Sequence, residues 1–171
     1  MTLSMYQAST PMFVRQLTAL AEILKKGAAF AAERQIEPSV LLNARLSPDQ
    51  FALIRQVQIV TDGAKVGIAR LAGVEAPSYP DDETTFDQLD ARIAKTIEFL
   101  KSVPADQIDG SEDRAIQLKT RRGEMNFVGQ AFLLHFLIPN FFFHVTTAYA
   151  ILRHNGVSLG KMDYLGVEQA T

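Results

Sequence analysis

The chain has 171 residues, 47% of them hydrophobic and 21% charged, a globular mix long enough for one domain with its own core. Its 17 basic and 19 acidic side chains leave a net charge of -2, so no electrostatic footprint for nucleic acid stands out. Cysteine is absent, which excludes disulfides, thiolate metal sites and cysteine catalysis and suits a cytoplasmic location.

The N-terminus lacks the basic region and apolar core of a signal peptide. Residues Met5 to Arg34 predict a first helix, because Phe13, Leu17, Leu20, Ala21 and Leu24 recur at three- and four-residue steps and form one stripe. Pro11 suits its first turn, where a missing N–H is tolerated. Gln35 to Leu46, with Pro38, is a connection that packs down through Leu41, Leu42 and Leu46.

Ser47-Pro48-Asp49-Gln50 has the spacing of a capping box and predicts the start of a second helix. That helix should run to Ala72 and stop at Gly73, with Leu53, Val57, Val60, Ala64, Ile68 and Leu71 inward. After a loop with Pro77 and Pro80, Thr85 and Gln88 repeat the capping spacing. Phe86, Leu89, Ile93, Ile97 and Leu100 then form the seam of a third helix, ended by Pro104.

Ile116 and Leu118 alternate with polar residues, as do Met125 and Phe127, which predicts a short β-hairpin turning at Arg121-Arg122-Gly123. The basic cluster Lys119-Thr120-Arg121-Arg122 reads as its solvated turn. Gln130 to Ile138 is a short apolar piece, and Pro139 sits best at the start of a separate last helix ending near Asn155. The greasy run Ala131 to Phe143 is short of the ~20 residues of a membrane span, so no membrane is expected. Residues 157 to 171 form a tail that docks through Leu159, Met162, Tyr164 and Leu165. The whole, residues 1 to 171, is expected as a single, mainly all-α domain: a four-helix bundle with the hairpin inserted before the last helix.

No phosphate loop, dinucleotide fingerprint, GxSxG elbow or HExxH motif is present. Of three histidines, no two have the i, i+4 spacing with which one helix grips a metal. His154 suits the last helical turn, where positive charge is favoured. His144 follows three phenylalanines, with Asn140 four residues before it and Thr147 three after it, so a polar strip interrupts an apolar face. Such a strip needs partners when buried. Gln58, Asp62 and Lys65, with Arg55, form a polar row on the second helix. An Asp62–His144 pair across the bundle would fix the imidazole tautomer and raise its pKa. His144 with Asp62 is then either a catalytic pair, a weak metal site or a structural hydrogen-bond network. Tyr149 and Arg153, sharing a face with Thr146, could hold an anionic ligand or anchor the tail.

The stretches RQVQIVTDGAKVGIARLAGVEAP and PNFFFHVTTAYAILRHNGVSLGKMDYLG, with LSPDQF before them, resemble a family of bacterial and fungal proteins named domain of unknown function nineteen-ninety-three. That family is similar to the wider DinB-like group, so the resemblance implies a DinB-like four-helix bundle, often a homodimer, with a metal site of three histidines. Some relatives are thiol-dependent transferases or isomerases. Registering the last helix on Leu152-Arg153 places His144 on one of the three ligands and Asn140 on another, while the second helix has no histidine. A divalent metal, zinc or nickel, would then rest on His144 with Asp62.

Three functions follow as expectations. The first is a small-molecule-binding bundle with a pocket lined by His144, Asn140, Asp62, Gln58 and Tyr149. The second is a divergent metal-dependent transferase or hydrolase using His144 and Asp62. The third is a structural dimerisation module.

Overall fold

The structure is a computed structural model that describes residues 3–120 and 123–167. Its elements in chain order are α1 (Thr10–Glu33), α2 (Pro38–Leu42), α3 (Leu53–Ala72), α4 (Phe86–Ser102), α5 (Ala105–Ile108), β1 (Ala115–Thr120), β2 (Gly123–Val128), α6 (Gly129–Phe132), a π-helical turn (Leu133–Leu137), α7 (Ile138–His154) and α8 (Lys161–Leu165). Four long helices make the bundle. Helix α1 packs on α4, α4 on α3, α3 on α7, and α7 back on α1.

The apolar rows read from the sequence are the core. Phe13, Leu17 and Leu20 of α1, the whole α3 row from Leu53 to Leu71, and Leu89 and Leu100 of α4 have no exposed surface. Helix α4 starts at the capping box of Thr85 and Gln88, where the Thr85 hydroxyl accepts from the Gln88 N–H and the Gln88 side chain accepts from the Thr85 N–H.

Two expectations change. Ser47-Pro48-Asp49-Gln50 does not cap α3. The Ser47 hydroxyl donates to Asp49, the Gln50 N–H closes a turn onto the Ser47 carbonyl, and Arg45 takes the Gln50 carbonyl. With those groups engaged, the chain straightens at Ala52 (ψ 163°) and the helix begins at Leu53. Pro38 likewise opens a one-turn helix of its own, α2, whose Leu41 and Leu42 are buried.

The second change concerns the last helix. Residues Gly129–His154 form one continuous helix of 26 residues rather than two pieces parted at Pro139. A proline lacks the N–H for the fourth carbonyl behind it, and its ring crowds that carbonyl. The five-residue π turn just ahead of Pro139 widens the spiral and absorbs both conflicts, so the helix carries on. The run is long and apolar enough to cross a membrane by length and composition alone. Phe132, Leu133, Leu137, Phe141, Val145, Ala148, Ile151 and Leu152 of this run fill the bundle core, while Leu134 and Phe143 are exposed.

The hairpin pairs Ala115 with Val128 through to Thr120 with Gly123. The expected turn residues Arg121 and Arg122 lie outside the described residues. Ile116 and Leu118 are buried, and Phe127 seats the hairpin on Phe132 and Phe136, with ring centroids 6.0 and 5.6 Å away. An isolated two-stranded ribbon is marginal in water, and this aromatic contact supplies its missing face. Gly129, where the strand passes into the helix, has no room for a side chain: a Cβ there would lie 1.9 Å from the Ser111 carbonyl oxygen.

Candidate functional site

Helix α3 carries polar groups in two directions. Toward α4 it presents Gln58, Thr61, Asp62 and Lys65 to Arg92, whose side chain is wholly buried. The guanidinium has five N–H donors, and five oxygens meet them. Nε donates to Thr61 Oγ1 at 2.8 Å. Nη1 donates to the Pro80 carbonyl at 2.8 Å and to Glu83 Oε1 at 2.9 Å. Nη2 lies 2.9 Å from Asp62 Oδ1 and 3.0 Å from Asp81 Oδ1. Around this node Lys65 pairs with Asp62 at 3.0 Å, Gln58 donates to the other oxygen of Glu83 at 2.9 Å, and Arg55 pairs with Asp81.

Three cations thus face three carboxylates, and the cluster is neutral. Burial alone would push the Glu83 carboxyl up. Hydrogen bonds from Arg92 and Gln58 and the charge of Arg92 outweigh that and hold it below the usual range. Burial opposes the charge on Arg92, but the carboxylates raise its pKa above the ordinary value. Tyr79 covers the cluster, with Lys65 Nζ 3.7 Å from its ring centroid. The network therefore ties the loop segment from Tyr79 to Glu83 down onto α3 and α4.

Toward α7 the same helix faces a cleft of about 290 Å³, walled by α3 on one side and by the π turn and the start of α7 on the other. Ile59, Val66, Phe132, Phe136 and Leu137 supply its apolar lining, and Arg55, Asp62, Arg70 and Asn140 its polar groups. The two helices come close because Gly63 and Gly67 face α7. A Cβ on Gly67 would be 2.4 Å from the Leu137 side chain, and one on Gly63 would touch Asn140 at 3.8 Å.

The expected site residues are distributed as follows. Asp62 and Asn140 line the cleft together. His144 lies one turn beyond Asn140, and its Nδ1 is 2.6 Å from Gln56 Oε1. Gln56 Nε2 donates to the Phe51 carbonyl, so its oxygen faces the ring, Nδ1 carries the proton, and the free lone pair is on Nε2. The expected Asp62–His144 pair does not form, because Asp62 is taken by Arg92 and Lys65. The expected pKa rise reverses with it: burial, then the charge of Arg55, pushes the half-buried imidazole below its ordinary value.

Gln58 belongs to the Arg92 cluster and not to a pocket with His144. Tyr149 stands apart from both, ring to edge with Tyr164 of α8 at 5.7 Å, while Thr146 and the Tyr164 hydroxyl lie 2.9 Å apart. Of the two alternatives for Tyr149, the structure shows tail anchoring. Lys26 completes it by pairing with Asp163.

The three-histidine metal site implied by the resemblance does not fit these residues. Where it needs imidazoles, the chain offers His144 with two amides, Asn140 and Gln56; His135 and His154 are exposed. Zinc and nickel favour imidazole, thiolate and carboxylate over neutral amides. Among the described residues no group of three or more His, Asp or Glu side chains is placed to hold a metal ion.

Sequence reasoning missed two residues. Arg92 had a visible signal: it lies three residues after Leu89 and four before buried Thr96, so a guanidinium interrupts an apolar seam. Arg70 had none beyond being a cation in the last turn of α3.

Comparison with known proteins agrees with this architecture. No curated protein matches the chain. A crystal structure of a DinB family member protein from Shewanella denitrificans is 43% identical, with a TM-score of 0.87 over 97% of this chain and 94% of that one. The bundle is therefore DinB-like. The family model described as "Domain of unknown function (DUF1993)" matches residues 5–165, and with nearly the whole chain inside that match the protein belongs to the DUF1993 family.

Proposed function

We propose that this protein binds a small molecule in the cleft between α3 and the last helix. The observation that supports it most is the cleft itself, in which an apolar wall from the π turn meets Asn140 and two arginines across a pair of glycines. Its volume stands at the lower end of the roughly 300–1,000 Å³ of ligand pockets, which suits a compact ligand. Apolar walls with a few convergent polar groups are the usual make-up of such sites. His144 belongs to the edge of this region as the group that positions α7 on Gln56, with Asn140 reaching the cleft.

Amide chemical-shift mapping with benzene-sized probes tests the reading on two proteins. In the wild type, shifts should gather around Val66, Phe136 and Asn140. Gly63→Leu, which keeps the helix and fills the cleft, should remove them. Binding that survives this substitution, or maps elsewhere, overturns the proposal.

A second reading, self-association, is favoured by Phe143 and Leu134, which leave 56% and 44% of their surface exposed on the last helix. Sedimentation of the wild type and Phe143→Glu should give a dimer and a monomer. A wild type that is monomeric at high concentration ends that reading.

A further inference from the structure

The cleft's charges are not equivalent. Arg55 and Arg70 stand fifteen residues apart on α3, about 22 Å along the helix, and so mark opposite ends. Arg55 is engaged by Asp81 and Gln58. Asp62, between them, is shared by Arg92 and Lys65. The Arg70 guanidinium has no ion-pair or hydrogen-bond partner among the described residues. One end of the cleft is thus neutralised, and the other keeps an uncompensated cation.

The neighbours of that cation are also fixed. Helices α3 and α7 run antiparallel: Gln56 meets His144, Gly63 meets Asn140, and Gly67 meets Leu137. Continuing that register puts the rings of Phe132 and Phe136, which line the cleft, at the Arg70 end. An aromatic floor beside an unpaired guanidinium matches a ligand with an apolar body and one anionic head. A planar carboxylate can take two parallel N–H bonds from arginine.

We propose that the Arg70 end of the cleft binds an apolar-bodied monocarboxylate, with the body on Phe132 and Phe136 and the head on Arg70. This rests on the cleft being a binding site at all, and it names the class of ligand. Burial also disfavours the charge on Arg70, and no carboxylate offsets it, so an incoming anion would be rewarded there.

The test uses a matched pair, 3-phenylpropionate and 3-phenylpropanamide, titrated into the full chain and into Arg70→Gln, with amide shifts read at Val66, Phe136 and Asn140. Arg70 is exposed at its outer edge, so the variant should fold. The acid should bind the wild type about ten-fold more tightly than the amide, an advantage lost in Arg70→Gln and weakened by added salt. Equal binding of acid and amide, or an acid advantage that survives in Arg70→Gln, overturns the ligand class and leaves the cleft reading standing. If neither compound shifts these residues, the cleft reading falls and this inference falls with it.

Discussion

Arg92 shows how much can depend on one side chain. A guanidinium out of water is costly unless every donor is met, and here five oxygens from α3, α4's partner loop and the Pro80 carbonyl meet it. Arg92→Met should lower unfolding free energy in a urea titration by about 3–5 kcal/mol, because it strands buried Glu83 as well as removing the cation. Arg92→Lys should recover little, since an ammonium has three donors on a different geometry.

His144 gives a pH signature. Its folded pKa lies below the ordinary value of 6.5, so the unfolded chain takes up the proton first. Stability should be full above that value and fall as the pH drops from about 6.5 toward the folded pKa. Thermal melts of His144→Gln across this window should show a flatter slope than the wild type. An unchanged slope would mean that the imidazole titrates freely.

At the scale of elements, the continuous last helix is the part least legible in the sequence. Pro139 offers two solutions, a break or a widened turn, and composition does not separate them. What decides is outside the segment: Leu137 must lie against Gly67, so the chain cannot part there. The false start of α3 has a similar origin. Ser-Pro-Asp-Gln has the right letters for a cap, but Arg45 takes its last carbonyl, that of Gln50, and Gln56 takes the next one, that of Phe51. Where the competing groups are local, as at Thr85 and Gln88, the cap was readable. The candidate site was partly readable for the same reason. Its polar row on α3 is periodic, whereas the pairing of that row with Arg92 instead of His144 depends on how α4 and α7 are rotated.

An element-scale prediction follows from Gly129. A methyl group there meets the Ser111 carbonyl, a backbone atom that cannot turn aside. Gly129→Ala should therefore cost about 1–3 kcal/mol in chemical denaturation despite alanine's better helix propensity, and should loosen the hairpin's packing on Phe132 and Phe136. A stabilised variant would show that this junction has slack.

At the scale of the molecule, the bundle was legible because three of its helices carry long, regular apolar rows, which leave a fourth apolar segment to complete the core. The tail closes it: Tyr164 bridges to Tyr149 and Thr146 on α7, and its carbonyl accepts from Gln16 on α1. Tyr164→Ala should release α8, seen as faster amide exchange from Lys161 to Leu165, with a loss of about 1 kcal/mol.

The loop between α3 and α4 converges on one buried guanidinium, with Arg55 and Gln58 holding the same carboxylates from α3, and this governs how it can fail. Pro80, Asp81 and Glu83 all converge on the same guanidinium, so the segment cannot peel off residue by residue. A protease acting between Tyr79 and Thr85 must wait for one concerted release. Its nicking rate should then track substitutions at Arg92, some ten residues away in the chain, more closely than changes to the loop's own exposed letters.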